Sequence, residues 1–205
     1  MIACSNLAFG TIVYSNTTTD TGDTLAYAAN GFTQIGDQIM LAGPASDRYA
    51  TSGTVQFFSD GGAGTFDATL QLYAVGAPVG AQIGSDFNIT GISAPAGDVV
   101  NVTFDLGGIL VPDNLIFVVS VANFSAGVDI LGVDMFEPPT IGVSDPTFAI
   151  ANDGTGLSTV GTPNEDVYFE LQATTPEPGS LLLCAAGGLV LFGRFGYRLA
   201  RTRRT

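Results

Sequence analysis

Phe66-Asp67-Ala68-Thr69-Leu70-Gln71-Leu72-Tyr73-Ala74 alternates apolar and polar side chains without a break. In an extended strand successive side chains point to opposite faces. Phe66, Ala68, Leu70, Leu72 and Ala74 then share one face, and Asp67, Thr69, Gln71 and Tyr73 the other. A helix would scatter the same residues around its circumference. The stretch predicts a half-buried strand, and residues 100–106 and 167–173 repeat its pattern. Residues 115–121, Leu-Ile-Phe-Val-Val-Ser-Val, are almost uniformly apolar, which predicts a central strand covered on both sides. Further strands are predicted over 11–14, 25–29, 37–42, 54–59, 82–89, 129–135 and 147–151.

Turn chemistry separates these runs. Ala42-Gly43-Pro44, Ala94-Pro95-Ala96-Gly97, Val111-Pro112-Asp113-Asn114 and Glu137-Pro138-Pro139 supply fixed or positive φ angles between strands. The runs recur roughly every ten residues and no amphipathic helix intervenes. The fold class expected is all-β: a jelly-roll-like antiparallel β-sandwich of about eight to eleven strands over residues 11–174. Residues 154–164 and 173–178 read as linkers.

The chain has 205 residues, of which 12% are charged and 46% hydrophobic. That composition fits a folded domain rather than a disordered one. Charge is distributed unevenly. Residues 1–175 hold 18 acids and one arginine, Arg48, so that region carries 1 − 18 = −17, and lysine is absent throughout. Such a surface repels nucleic acid, which is excluded as a partner.

Beyond this body comes a different segment. Pro176-Glu177-Pro178 is followed by 14 uncharged residues, Ser180 to Gly193, and then by Arg194, Arg198, Arg201, Arg203 and Arg204. As a helix the uncharged run spans about 21 Å, short of the roughly 30 Å hydrocarbon core. A transmembrane helix over 180–197 would therefore need Arg194 to snorkel. The arginines place the C-terminus in the cytoplasm and the body outside. The triplet, the apolar run and the arginine cluster together resemble the PEP-CTERM sorting signal of Gram-negative bacteria. That resemblance implies export, an inner-membrane intermediate, an exosortase-type sorting enzyme as partner, and cleavage near Pro176-Glu177-Pro178. The destination it implies is the cell surface or the extracellular space.

Three shorter stretches, Ile12-Val13-Tyr14-Ser15-Asn16, residues 35–42 and Val55-Gln56-Phe57-Phe58, resemble the type R choice-of-anchor domains of bacterial surface proteins. The resemblance implies an extracellular β domain. Residues 1–10 lack the positive start and apolar run of a secretory signal and read as an N-terminal remnant or truncated leader. Three segments result: 1–10, the sandwich over 11–174, and the sorting signal over 175–205.

Residues 11–174 contain no histidine, cysteine or lysine, which excludes His-based triads, His/Cys zinc sites and lysine nucleophiles. Carboxylates remain. Calcium is the cation such oxygen donors suit, with Asp20, Asp23, Asp60 and Asp67 as candidate ligands beside the alternative that they are turn residues. No other cofactor is expected. The function expected is a non-enzymatic structural or interaction protein of the cell envelope or the extracellular polysaccharide matrix of a biofilm. The alternatives are a carbohydrate-binding module and a carboxylate-dependent hydrolase, which would need two acids about 5–10 Å apart.

Overall fold

The computed structural model describes residues 10–27, 31–76, 79–125, 127–152, 157–160 and 165–175. Residues 1–9, the motif Pro176, Glu177 and Pro178, the helix expected over 180–197 and the arginines from Arg194 onward lie outside them. Gly10–Thr174 form one unit, and its described residues are all in strands and connections.

Among the described residues there are thirteen strands, against the eight to eleven expected: β1 (Thr11–Asn16), β2 (Asp20–Ala26), β3 (Gln34–Met40), β4 (Tyr49–Gly61), β5 (Gly64–Ala74), β6 (Gln82–Ala94), β7 (Asp98–Leu110), β8 (Asn114–Ala122), β9 (Val128–Phe136), β10 (Val143–Asn152), β11 (Ser158–Val160), β12 (Asp166–Val167) and β13 (Phe169–Thr174). The surplus is in short pieces. Ser158–Val160, within the linker expected over 154–164, forms an antiparallel pair with β10. The run expected over 167–173 is split at Tyr168 into β12 and β13.

All pairings are antiparallel, in two sheets. One has the path β11-β10-β3-β8-β5-β6. In the other the long β4 pairs with β7 along one edge, and with β13 and then β9 along the opposite edge. Strand β1 extends this sheet beyond β13, and β2 and β12 both pair with β9. From β2 to β9 the strands divide into β2-β9-β4-β7 in one sheet and β3-β8-β5-β6 in the other.

The alternation in the sequence accounts for the core. Phe66, Ala68, Leu70 and Leu72 of β5 are buried, as are Val102, Phe104 and Leu106 of β7, while their neighbours face outward. They meet Val55 and Phe57 of β4, Ile35 and Ile39 of β3, and Phe169 and Leu171 of β13 in one hydrophobic cluster. Each large side chain withdrawn from water contributes about 1.5–3 kcal/mol. Strand β8 has the predicted double burial. Its outward Ile116 and Val118 are covered by Tyr73, Val79 and Leu157.

Arg48, the single basic residue among those described, is buried and holds one loop in place. Its Nε donates to Asp113 Oδ1 at 2.7 Å, and Nη1 donates to the carbonyls of Ala42, Pro44 and Asp47 at 3.0–3.1 Å. The group closes the 42–47 turn onto the start of β8.

Candidate functional site

Four of the polar groups buried in the sandwich, Asn16, Asp37, Ser144 and Asp166, gather where β1, β3, β10 and β12 meet. Strand β3 alternates with Ile35, Asp37 and Ile39 on its inner face, so Asp37 occupies a core position and is fully buried. Asp166 of β12, in the opposite sheet, is 4% exposed and lies within hydrogen-bonding reach of Asp37. Ser144 of β10 donates through its hydroxyl to Asp166 Oδ2.

A bulge brings β1 to the same place. The register slips between Ile12 and Tyr14, and the last four residues of the strand are all buried. Asn16 Nδ2 donates to Phe136 O at 2.9 Å and to Asp166 O at 3.4 Å, tying β1 to the ends of β9 and β12. The Tyr14 hydroxyl and Asn16 Oδ1 are buried without a hydrogen-bond partner, and Asp37 Oδ2 meets no donor other than the Asp166 carboxyl. Asp37 Oδ1 accepts from the Gln38 amide at 2.7 Å.

Burial dominates the electrostatics. It pushes the Asp37 carboxyl well above the usual range, and the neighbouring Asp166 adds to the shift. Burial also raises Asp166, which the bonds from Ser144 and Asp37 partly offset. The Tyr14 phenol is raised too, first by burial and then by the charges of Asp37 and Asp166.

A second acidic group adjoins the first. Asp134 of β9 is raised to about 6 by burial and by Asp20. Glu165 is raised by its hydrogen bond to Asp23, then by desolvation and by the charges of Asp23 and Glu137. Glu137 is raised by desolvation and by Asp166.

Outside the core, β10 departs from β3 next to Asp37. Ser144 pairs with Ile39 and Ala149 with Asp37, so residues 145–148 are opposed by Gln38 alone. A groove of about 220 Å³ lies at this end of β3, lined by Gln38, Met40, Asn114, Val143, Ser144 and Asp145.

The four candidate calcium ligands sit on three strands, two of them on β2. Asp20 and Asp23 lie on β2, where Asp20 Oδ1 accepts from the Gly22 amide at 2.7 Å, an Asx-turn contact. Asp60 is near the end of β4 and pairs with Ile130. Asp67 accepts from Asn123 Nδ2 at 2.6 Å and from the Gly91 amide at 2.8 Å. Among the described residues no three acids converge as a metal group.

Asp37 and Asp166 were not among the sequence candidates. One signal was available for Asp37, an acid at an inward position of an alternating strand. None marked Asp166 as its neighbour. The pair is buried and in mutual contact, unlike hydrolase carboxylates, which flank an accessible bond. No family model, curated protein or solved structure matches the chain.

Proposed function

We propose that this chain is an exported, surface-sorted structural or interaction module of the cell envelope or extracellular polysaccharide matrix. In this reading a jelly-roll-like sandwich is followed by a membrane-spanning helix over 180–197, and an exosortase-type enzyme cleaves near Pro176-Glu177-Pro178. The jelly-roll assignment rests on the interleaved orders β2-β9-β4-β7 and β3-β8-β5-β6, the arrangement of two nested Greek keys.

The observation that carries the reading is the character of the outer faces. Across β4 and β7, Thr54 bonds Thr103 at 2.9 Å and Gln56 donates to Asn101 at 2.9 Å. Across β5 and β6, Thr69 donates to Asn88 at 2.7 Å and Gln71 donates to Asp86, which also accepts from Gln82 of its own strand. Cross-strand pairs of this kind stiffen a sheet while keeping it hydrated. They form polar surfaces suited to lateral contact in a hydrated matrix. The same amides and hydroxyls match sugar hydroxyls, which supports the second reading, a carbohydrate-binding module.

Mass spectrometry of the protein from its native host tests the sorting step. The mature chain should end near Pro178, and a product retaining Arg203 and Arg204 would refute processing. A glycan array separates the two readings of the body: saturable binding to one glycan class favours the carbohydrate-binding module, and none favours the structural one.

A further inference from the structure

We propose that the buried oxygen cluster formed by Asp37, Asp166 and Ser144, with Tyr14 and Asn16 beside them, is a calcium-binding site. The first argument is charge. Two carboxylates in contact within a core cannot both ionise without a counter-charge, because desolvation costs several kcal/mol per ion. The described residues supply none. Arg48, the single cation among the described residues, is committed to Asp113 and the 42–47 carbonyls. The groups around the pair add negative charge, with Asp145 of β10 acting on both carboxylates and Glu137 beside Asp166.

The second argument is independent of charge. The Tyr14 hydroxyl and Asn16 Oδ1 are fully buried oxygens without a hydrogen-bond partner, and Asp37 Oδ2 meets no donor other than the neighbouring Asp166 carboxyl. Buried polar atoms are nearly always paired with protein, water or an ion. The Tyr14 hydroxyl is directed toward Ser144 and lies in the field of both Asp37 and Asp166, so it points into the cluster.

The donor set selects the ion. Carboxylate, hydroxyl and amide oxygens suit a hard cation, and calcium tolerates irregular geometry where magnesium demands an octahedron. A site with two carboxylates belongs to the weak class of extracellular modules, with a Kd of about 10⁻⁴–10⁻³ M. The groove between β3 and β10 adjoins the cluster at Ser144. Ser144 and Asp145 line it, and Ser144 contacts Asp166 on the inner side. Occupancy in the cell rests on the proposed export, since calcium is millimolar outside. Binding by the purified chain does not, so the two ideas fail separately.

The test uses the full-length chain in a mild detergent. Thermal melting is followed in CaCl₂ and in NaCl of matched ionic strength, and Tb³⁺ is titrated with tyrosine excitation. The expected result is a saturable rise in Tm of several degrees beyond that in NaCl. Tyrosine-sensitised Tb³⁺ emission should also appear and be displaced by Ca²⁺. Both responses should vanish in Asp37→Asn and Asp166→Asn and persist when Asp20 and Asp23 are changed to Asn. Tyr14→Phe should keep the Ca²⁺ shift and lose most of the emission. Equal shifts in CaCl₂ and NaCl would overturn the proposal, as would an undiminished Ca²⁺ response in Asp37→Asn. So would an Asp37→Asn protein that melts above the unsubstituted one with neither responding to Ca²⁺, because that pair holds a shared proton. If neither Asn variant folds, the titration of the unsubstituted chain and Tyr14→Phe still decide.

Discussion

The ring of Phe117 stacks on that of Phe169, with centroids 4.0 Å apart and planes 14° from parallel. Phe117 belongs to β8 and Phe169 to β13, so the contact joins the two sheets at their buried faces. Replacing either ring by alanine should cost about 3–5 kcal/mol in urea unfolding. The double substitution should cost less than the two added together, by about 0.5–1.5 kcal/mol, because the pair loses its mutual contact once. Strict additivity would show that the rings do not pack against each other in solution.

Arg48 tests charge against hydrogen bonding. Arg48 is buried, but its ion-pair partner Asp113 is 62% exposed, and a pair whose carboxylate stays hydrated contributes under about 1 kcal/mol. The carbonyls of Ala42, Gly43, Pro44 and Asp47 depend on the same guanidinium. Asp113→Asn should therefore be nearly silent in urea titration, while Arg48→Ala should lose at least about 2 kcal/mol. Equal losses would mean that the ion pair, not the loop clamp, is what counts.

Stability should fall as pH rises from about 4 to 7 in calcium-free buffer. Asp134 is raised to about 6, and Asp37 and Asp166 are also raised, so the folded state binds more protons than the unfolded state in that window. The stability each contributes is present below the unfolded carboxylate range and is lost as pH climbs through the folded value. Asp67 and Asp86 are lowered by their hydrogen bonds and act in the opposite sense, but they lie at the surface where solvent screens them. Asp134→Asn should flatten the slope between pH 4 and about 6, read as Tm against pH. A Tm that rises across the window would contradict the burial of these acids.

Gly36 is the position where β3 tolerates no side chain. A Cβ there would lie 1.9 Å from Phe117 O on the paired strand. Gly36→Ala should force β3 away from β8 and cost more than about 3 kcal/mol, beyond ordinary overpacking. A circular dichroism melt compares it with Gly91→Ala, whose added Cβ meets nothing within 4 Å and whose penalty comes from its positive φ alone. A milder effect at Gly36 than at Gly91 would argue against this register.

Period-two alternation determined the clearest strands of the body, such as β5 and β7, and their inner faces from local order alone. Phe66, Leu70, Leu72, Val102 and Phe104 were legible as core because a strand's side chains alternate whatever it pairs with. The uniform apolarity of residues 115–121 likewise marked β8 as central before its neighbours were known. Pairing partners were not legible, since alternation is the same against any partner. Only the tertiary structure set β8 between β3 and β5, and joined Asn16 to Phe136, 120 residues away. The buried acid pair belongs to this second kind. Asp37 in isolation is a polar residue in a strand, and its chemistry arises only when the opposite sheet brings Asp166 against it in a space that water does not screen.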